Sequence, residues 1–286
     1  MTILKNTFAL LLVSFYLVAC GSGSSSKPES TNFKAGKVNV TSINSASRGR
    51  VNLEVYLPPK WKKEGETYPV IFFLHGAFGN EKGFFRNVKY QQLNDWINQG
   101  KLPPFVLIAI ASHYVDGIEQ QWSSAANETF LTSRANTELR AFSLKYFNAG
   151  DSSRDIRKTS IHGHSRGARG ALHYGLKFST LFTSAIADAF VSDYALEEEQ
   201  QNALQYKNAI ISSGIKIRLS VGDSDAFENH RKTSALMHGY LDSIGIAHQY
   251  EVLTDTNHTF HSLWNGITTN SEINGLYELK LHATTW

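Results

Sequence analysis

The 286-residue chain has one cysteine, two methionines and six prolines, and no long run of one charge. A lone cysteine excludes a disulfide framework and a cysteine-rich metal centre, so the folded part must be held by its own core. The formal net charge is only +3, from 28 basic and 25 acidic residues, which excludes the clustered basic face that nucleic acid usually requires. Internal repeats are absent, and no apolar stretch reaches the roughly 20 residues of a comfortable membrane span. What is plentiful is apolar: 42% of residues are hydrophobic and 12% aromatic, enough to bury a sizeable core.

The longest apolar run, Phe8 to Ala19, follows Lys5 and gives way to small and polar residues, the pattern of an export signal. Its end, Leu17-Val18-Ala19-Cys20, resembles a bacterial lipobox. That resemblance implies cleavage before Cys20, lipidation of its thiol and anchoring in the cell envelope, at the outer membrane where the organism has one. Residues Gly21 to Ser30 are Gly/Ser-rich with one proline, the composition of a flexible tether. The expected organisation is a signal peptide over 1–19, a lipidated cysteine and tether over 20–32, and one folded domain over 33–286.

Within that domain Val51, Leu53, Val55 and Leu57 alternate with polar or amphipathic residues before Pro58-Pro59, which predicts a half-buried strand. "YPVIFFLHG" and "PPFVLIAIAS" are instead continuous apolar runs bounded by proline and by Gly or Ser, as strands covered on both faces require. Between them Tyr90, Leu93, Trp96 and Ile97 share a helical face, with Gly100 as the stop. Ala135, Leu139, Phe142 and Tyr146 recur at helical spacing. There follow a strand ending at Ile161, a helix from Arg166, a short strand at Ala185–Ala187, and a helix from Leu196 to Ile210. The strand "IKIRLSVGD", a helix from Glu228 to Ile244 and the strand "HQYEVL" complete the series, with "LYELKLHATTW" as a terminal helix or strand. This alternation predicts an α/β fold with a mostly parallel central sheet and helices on both faces. Chemistry in such sheets sits at the carboxyl ends of the strands.

One such end carries Gly163-His164-Ser165-Arg166-Gly167, a match to G-x-S-x-G at a strand-to-helix turn. By itself the pattern is weak; what surrounds it strengthens it. A serine hydroxyl is a poor nucleophile until a base takes its proton, and the base needs an orienting acid. In the chain order Ser, Asp, His, two acids (Asp223 and Asp225) follow one predicted strand and two histidines (His258 and His261) follow the last. Asp225 is favoured because it lies farther into its loop, and His258 because it comes first after its strand. Two backbone N–H groups are needed to hold an oxyanion. The amide of Arg166 is one, and "HGAF" supplies the other, Ala77 ahead of Phe78. Tyr114 and Trp122, in the long polar loop after "IAIAS", are candidate platforms for a sugar or aromatic acid, with pinning of the loop as the alternative. His162 and His164 flank the elbow, but no Asp, Glu or Cys cluster in the sequence completes a metal site with them, and the chemistry requires no cofactor.

The stretches "YPVIFFLHGAFGN", "TSIHGHSRGARGAL", "FTSAIADA", "VGDSD" and "NHTFHSLW" resemble the esterase D-like branch of the alpha/beta hydrolases, which includes feruloyl and acetylxylan esterases, S-formylglutathione hydrolases, siderophore esterases and mycolyltransferases. The resemblance spans about Val51 to Trp264 and implies an alpha/beta hydrolase fold and a serine carboxylic-ester hydrolase. Arg166 stands where that family often has methionine, and Ala77 where it often has a second glycine. With an export signal, the expected substrate is a small-molecule or glycan ester in the envelope. Two alternatives share the sequence features: an acyltransferase with the same triad, and a catalytically silent glycan-binding lipoprotein.

Overall fold

The computed structural model describes residues 32–152, 157–190 and 196–286. Val51, Leu53, Val55 and Leu57 are all buried, and their period of two places them on one face of β2 (Gly49–Leu57), which pairs antiparallel with β1 (Lys37–Ser45). The chain continues through β3 (Val70–Leu74), α1 (Tyr90–Asn98), β4 (Val106–Ile110) and a small hairpin of β5 (Tyr114–Val115) and β6 (Ile118–Glu119). Next come α2 (Ala125–Thr132), α3 (Leu139–Phe147), β7 (Thr159–His164), α4 (Arg166–Lys177) and β8 (Ser184–Asp188). The last part contains α5 (Leu196–Gln205), α6 (Lys207–Ser213), β9 (Lys216–Gly222), α7 (Glu228–Ser243), β10 (Gln249–Leu253), α8 (Phe260–Asn265) and α9 (Asn274–Ala283).

Eight strands form one sheet in the order β1-β2-β4-β3-β7-β8-β9-β10. Pairing is parallel from β4 to β10 and antiparallel where β2 meets β1 and β4, so the sheet is mostly parallel, as its run of strand–helix units requires. All five residues of β3 and of β4 are buried. Phe72 and Leu74 of β3 join a core that holds Phe142 of α3, Ala168 and Leu172 of α4 and Met237 of α7. Ile71 and Phe73, pointing the other way, join a second core with Trp96 of α1, Trp264 of α8 and Leu279 of α9. Each face of the sheet therefore has its own helix layer, which explains why these strands read as unbroken apolar runs.

Several boundaries differ from the sequence expectation. The strand expected to end at Ile161 runs on to His164, because Gly163 and Gly167 let backbone approach backbone there. The helix expected over Leu196–Ile210 is two helices, broken at Tyr206. Ala135 lies ahead of α3 in a turn where Ser133 Oγ accepts its N–H at 3.1 Å. The tail is the helix α9. The signal peptide, Cys20 and nearly all of the tether lie outside the described residues, and among the described residues no helix is long and apolar enough to cross a membrane.

Beneath the elbow lies a buried polar group. Asp188 accepts from His162 Nε2 at 2.8 Å and from Ser220 Oγ at 2.6 Å. Burial and the neighbouring Asp188 charge push the Glu278 carboxyl well above its ordinary range. His282 of α9, fully buried against Ser184 Oγ at 2.7 Å, is held well below the ordinary histidine value by burial and then by His162. The unfolded chain binds a proton at this ring near pH 6.5 while the native chain does not. Stability is therefore expected to fall on acidification below pH 6.5, by about 1.4 kcal/mol per pH unit from this group. Urea unfolding between pH 7 and pH 5 checks this: His282→Gln should flatten the slope, and an unchanged slope would refute it.

Candidate active site

Three strand ends and one loop converge at the carboxyl edge of the sheet, as expected for a parallel α/β architecture. Ser165 sits between β7 and α4 with φ 57° and ψ −118°, a left-handed conformation that costs a non-glycine residue about 1–3 kcal/mol. Its backbone N–H donates to the Asp188 carbonyl at 2.8 Å, which fixes the bend. The glycines around it are a steric condition. A Cβ on Gly163 would lie 1.9 Å from the Gly167 carbonyl oxygen, and one on Gly167 would lie 1.9 Å from that of Leu74. Only hydrogen atoms permit a turn this tight, and the turn is what leaves Ser165 partly exposed at the sheet edge.

His258, in the loop between β10 and α8, places Nε2 3.1 Å from Ser165 Oγ and Nδ1 2.8 Å from Asp225 Oδ2. With the proton on Nδ1 donated to the carboxylate, Nε2 presents its lone pair to the serine hydroxyl. Asp225 is buried after β9, where its Oδ1 also accepts the Phe227 N–H at 2.9 Å. His164 Nε2 donates to the His258 carbonyl at 2.7 Å and so ties the base's backbone to the nucleophile strand. Burial holds the His164 ring down to about 4, so it is neutral in this role. The two alternatives lie elsewhere. Asp223 Oδ1 accepts from Ser224 Oγ at 2.9 Å in the turn, and His261, exposed on α8, lies 3.4 Å from the Asn87 carbonyl.

The loop after β3 lies against the nucleophile: a Cβ on Gly76 would be 3.2 Å from that of Ser165. The neighbouring amide of Ala77 has no protein acceptor among the described residues. The Phe78 amide is committed, donating to Glu119 Oε2 at 3.0 Å. Arg166 Nη1 donates to the same oxygen, and Ser112 Oγ to Glu119 Oε1. Ser112 also lies 3.0 Å from His75 Nε2. The Arg166 side chain thus has a carboxylate partner on β6, and the pair clamps the loop that carries Ala77. Phe78, at φ 56°, projects its ring into solvent with the Arg166 guanidinium 5.9 Å from its centre.

The two aromatic platform candidates separate. Tyr114 is about half exposed on β5. Trp122 is buried, its Nε1 donating to the His75 carbonyl at 3.2 Å and its Cβ facing Gly170 of α4. Trp122 therefore pins its loop to the domain and offers no ring face to a ligand, which corrects the expectation from sequence; the polar loop has to be fastened over the core, and the indole does that.

Two residues of the site escape sequence inspection. Glu119, on β6, belongs to no motif. His230, in the first turn of α7, packs its ring against His258 at 4.4 Å between centres and places Nδ1 3.4 Å from Asp225 Oδ2. Its only sequence signal is its position, five residues after Asp225 and in the first turn of the helix that follows.

The sheet with a helix layer on each face is an alpha/beta hydrolase fold, and the chain is an esterase by family. It belongs to the Esterase family, whose model, described as "Putative esterase", matches residues 45–266. Similar solved structures include a ferulic acid esterase, 18% identical with a TM-score of 0.70, covering 87% of this chain and 98% of that one. The feruloyl esterase module from Clostridium thermocellum, complexed with sinapinate, is 12% identical with a TM-score of 0.63, covering 87% and 86%. An S-formylglutathione hydrolase from Agrobacterium tumefaciens is 21% identical with a TM-score of 0.61, covering 90% and 99%. No curated protein sequence matches the chain.

Proposed function

We propose that Ser165, His258 and Asp225 act as a catalytic triad on a carboxylic ester of the cell envelope, with the chain held at the membrane through a lipidated Cys20. The observation that carries the triad is the unbroken line of hydrogen-bond distances, 3.1 Å from Ser165 Oγ to His258 Nε2 and 2.8 Å from His258 Nδ1 to Asp225 Oδ2. His258 takes the hydroxyl proton as Ser165 Oγ attacks the ester carbonyl, and Asp225 holds the imidazolium that forms. The amides of Ala77 and Arg166 receive the oxyanion, Ala77 being favoured over Phe78 because the Phe78 N–H is already given to Glu119. His258 then passes its proton to the leaving alkoxide, and water, activated by the same ring, clears the acyl-enzyme.

Exposed apolar side chains rim this edge. Phe227 lies edge-on to His258 at 5.1 Å between ring centres, and Phe78, Tyr114 and Ile118 are all at least half exposed. Such a rim suits an ester with an aromatic or short acyl group presented on a larger polar molecule, in keeping with the ferulic acid esterases among the similar structures. The envelope assignment rests on the export pattern and the lipobox resemblance at Cys20.

The test is covalent as well as kinetic. The full chain is incubated with p-nitrophenyl acetate, p-nitrophenyl butyrate, methyl ferulate and, separately, a fluorophosphonate. Turnover of at least one ester and a single phosphonate adduct mapped to Ser165 are expected. Absence of both would sink the catalytic reading in favour of a silent binding module. Product formed on an added alcohol in preference to water would make it an acyltransferase. Metabolic labelling with palmitate, lost in Cys20→Ala, checks the anchor.

A further inference from the structure

His258 is flanked by more than the triad needs. Three potential ligand atoms, Asp225 Oδ2, His258 Nδ1 and His230 Nδ1, form a compact triangle with sides of 2.8, 3.4 and 3.1 Å. The two imidazole rings are tilted by 34° with their centres 4.4 Å apart, and both Nδ1 atoms lie within 3.4 Å of the same carboxylate oxygen. Ligand atoms of a tetrahedral zinc site, bonded at about 2.0–2.2 Å, are separated by about 3.3 Å. A point about 2 Å from all three atoms lies roughly 1 Å off their plane, so one ion satisfies all three distances, and a turn of the rings aims both Nδ1 lone pairs at it.

An ion in this triangle competes with protons. His258 Nδ1 carries the proton donated to Asp225 in the working triad. His230 Nδ1 also lies 3.4 Å from that carboxylate oxygen, which can only accept, so each ring must carry its proton on Nε2 and present its Nδ1 lone pair for an ion to bind. Two imidazole nitrogens and one carboxylate oxygen form a donor set that suits zinc and its first-row neighbours better than magnesium or calcium. The side chains of His258 and His230 keep 20% and 10% of their surface open, and Asp225 none, so an ion reaches the triangle from the histidine side.

We propose that Asp225, His230 and His258 form an inhibitory site for one divalent transition-metal ion, zinc being the best fit, which silences the esterase reversibly. The ion takes the Nδ1 lone pairs of both histidines and one lone pair of the Asp225 carboxylate. The proton of His258 Nδ1 moves through solvent to Nε2, so no net proton is released from that ring. Nε2–H then donates to Ser165 Oγ instead of accepting its proton, and the serine loses its base. The metal thus competes with the catalytic tautomer of His258. The inhibition rests on the triad proposed above; the binding does not.

The test uses the full chain stripped with EDTA, titrated with zinc chloride, with magnesium chloride as the control for ionic strength. Zinc binding is read by isothermal titration and p-nitrophenyl acetate turnover in parallel. One zinc is expected to bind the parent and Ser165→Ala alike, with turnover of the parent falling in proportion to occupancy and restored by EDTA. His230→Gln is expected to raise the zinc concentration for half occupancy by at least about 100-fold, with circular dichroism confirming the fold and His230→Phe as a second variant that keeps a ring against His258. Zinc binding unchanged in both variants, or lost only when the pair His238 and His248, 2.8 Å apart, is replaced, would overturn the site. Full occupancy with undiminished turnover would overturn the inhibition. If the parent hydrolyses no ester, the catalytic reading has failed, and the titrations on the parent and Ser165→Ala still decide whether the metal binds.

Discussion

His258→Ala is expected to lower kcat/KM for an activated ester by about 10⁶-fold, while His261→Ala stays within about twofold of the parent. The difference follows from placement. His258 Nε2 stands 3.1 Å from Ser165 Oγ, whereas His261 is exposed on α8 and faces the Asn87 carbonyl. Without a base the hydroxyl attacks only as the neutral alcohol, and loss of a triad base in a serine hydrolase costs on that order. Ser165→Ala should cost as much, and the Ser165→Ala/His258→Ala double variant no more than either single one, because members of one catalytic unit are not additive. Asp225→Asn should lose about 10⁴-fold, as an amide holds the imidazole in the wrong tautomer. Asp223→Asn, whose carboxylate accepts from Ser224 Oγ and the Thr256 N–H rather than from His258, should lose little. Steady-state assays on the purified variants measure all of these. Comparable losses at His258 and His261, or a double variant far worse than the singles, would mean that the three side chains do not work as one unit.

The parts of this arrangement that could be read from sequence are those set by local chemistry. The unbroken apolar runs at Val70–Leu74 and Val106–Ile110 announced strands covered on both faces, and two cores do cover them. The glycines around Ser165 announced a tight turn because nothing larger fits between β7, α4 and the end of β3. What escaped depends on distances across the fold. Arg166, beside the nucleophile where the family often has methionine, looked like a departure until Glu119, 47 residues away, proved to be its partner. Trp122 looked available because its loop is polar, yet the indole faces inward to His75 and Gly170. His230 gave no sign beyond its place after Asp225: a lone histidine in a polar helix start becomes part of the site only because α7 follows the loop that carries Asp225. The first strand, β1, carries polar residues between its apolar ones and buries Thr41, Ser42 and Ser45 while Val40 stands exposed, so its periodicity was too weak to announce it.

The same sterics that shape the elbow make Gly163→Ala the substitution with the largest expected effect on stability. The added methyl would sit 1.9 Å from the Gly167 oxygen, 2.2 Å from its carbonyl carbon and 2.8 Å from the Ala168 nitrogen, all backbone atoms of the helix that follows Ser165. No rotamer change relieves a clash with backbone, so either α4 must move away from β7 or the strand must shift in register against β3 and β8. Moving α4 breaks its contact with both neighbours, since a Cβ on Gly167 is already excluded by the Leu74 oxygen at 1.9 Å and one on Gly170 by Trp122 at 2.5 Å. The expected cost is therefore more than about 4 kcal/mol, in the range reserved for strain and overpacking in a core, and a chain that folds at all should have lost its nucleophile geometry. Gly239→Ala is the internal control. It lies inside α7, and a methyl group there would meet nothing within 4 Å, so the same change should stabilise by about 0.5–1 kcal/mol through helix propensity alone. Urea unfolding of both variants separates the two cases. A Gly163→Ala protein whose stability lies within about 1 kcal/mol of the parent would show that β7 and α4 are less tightly apposed than these distances require, and the steric account of why Ser165 stands among glycines would fall with it.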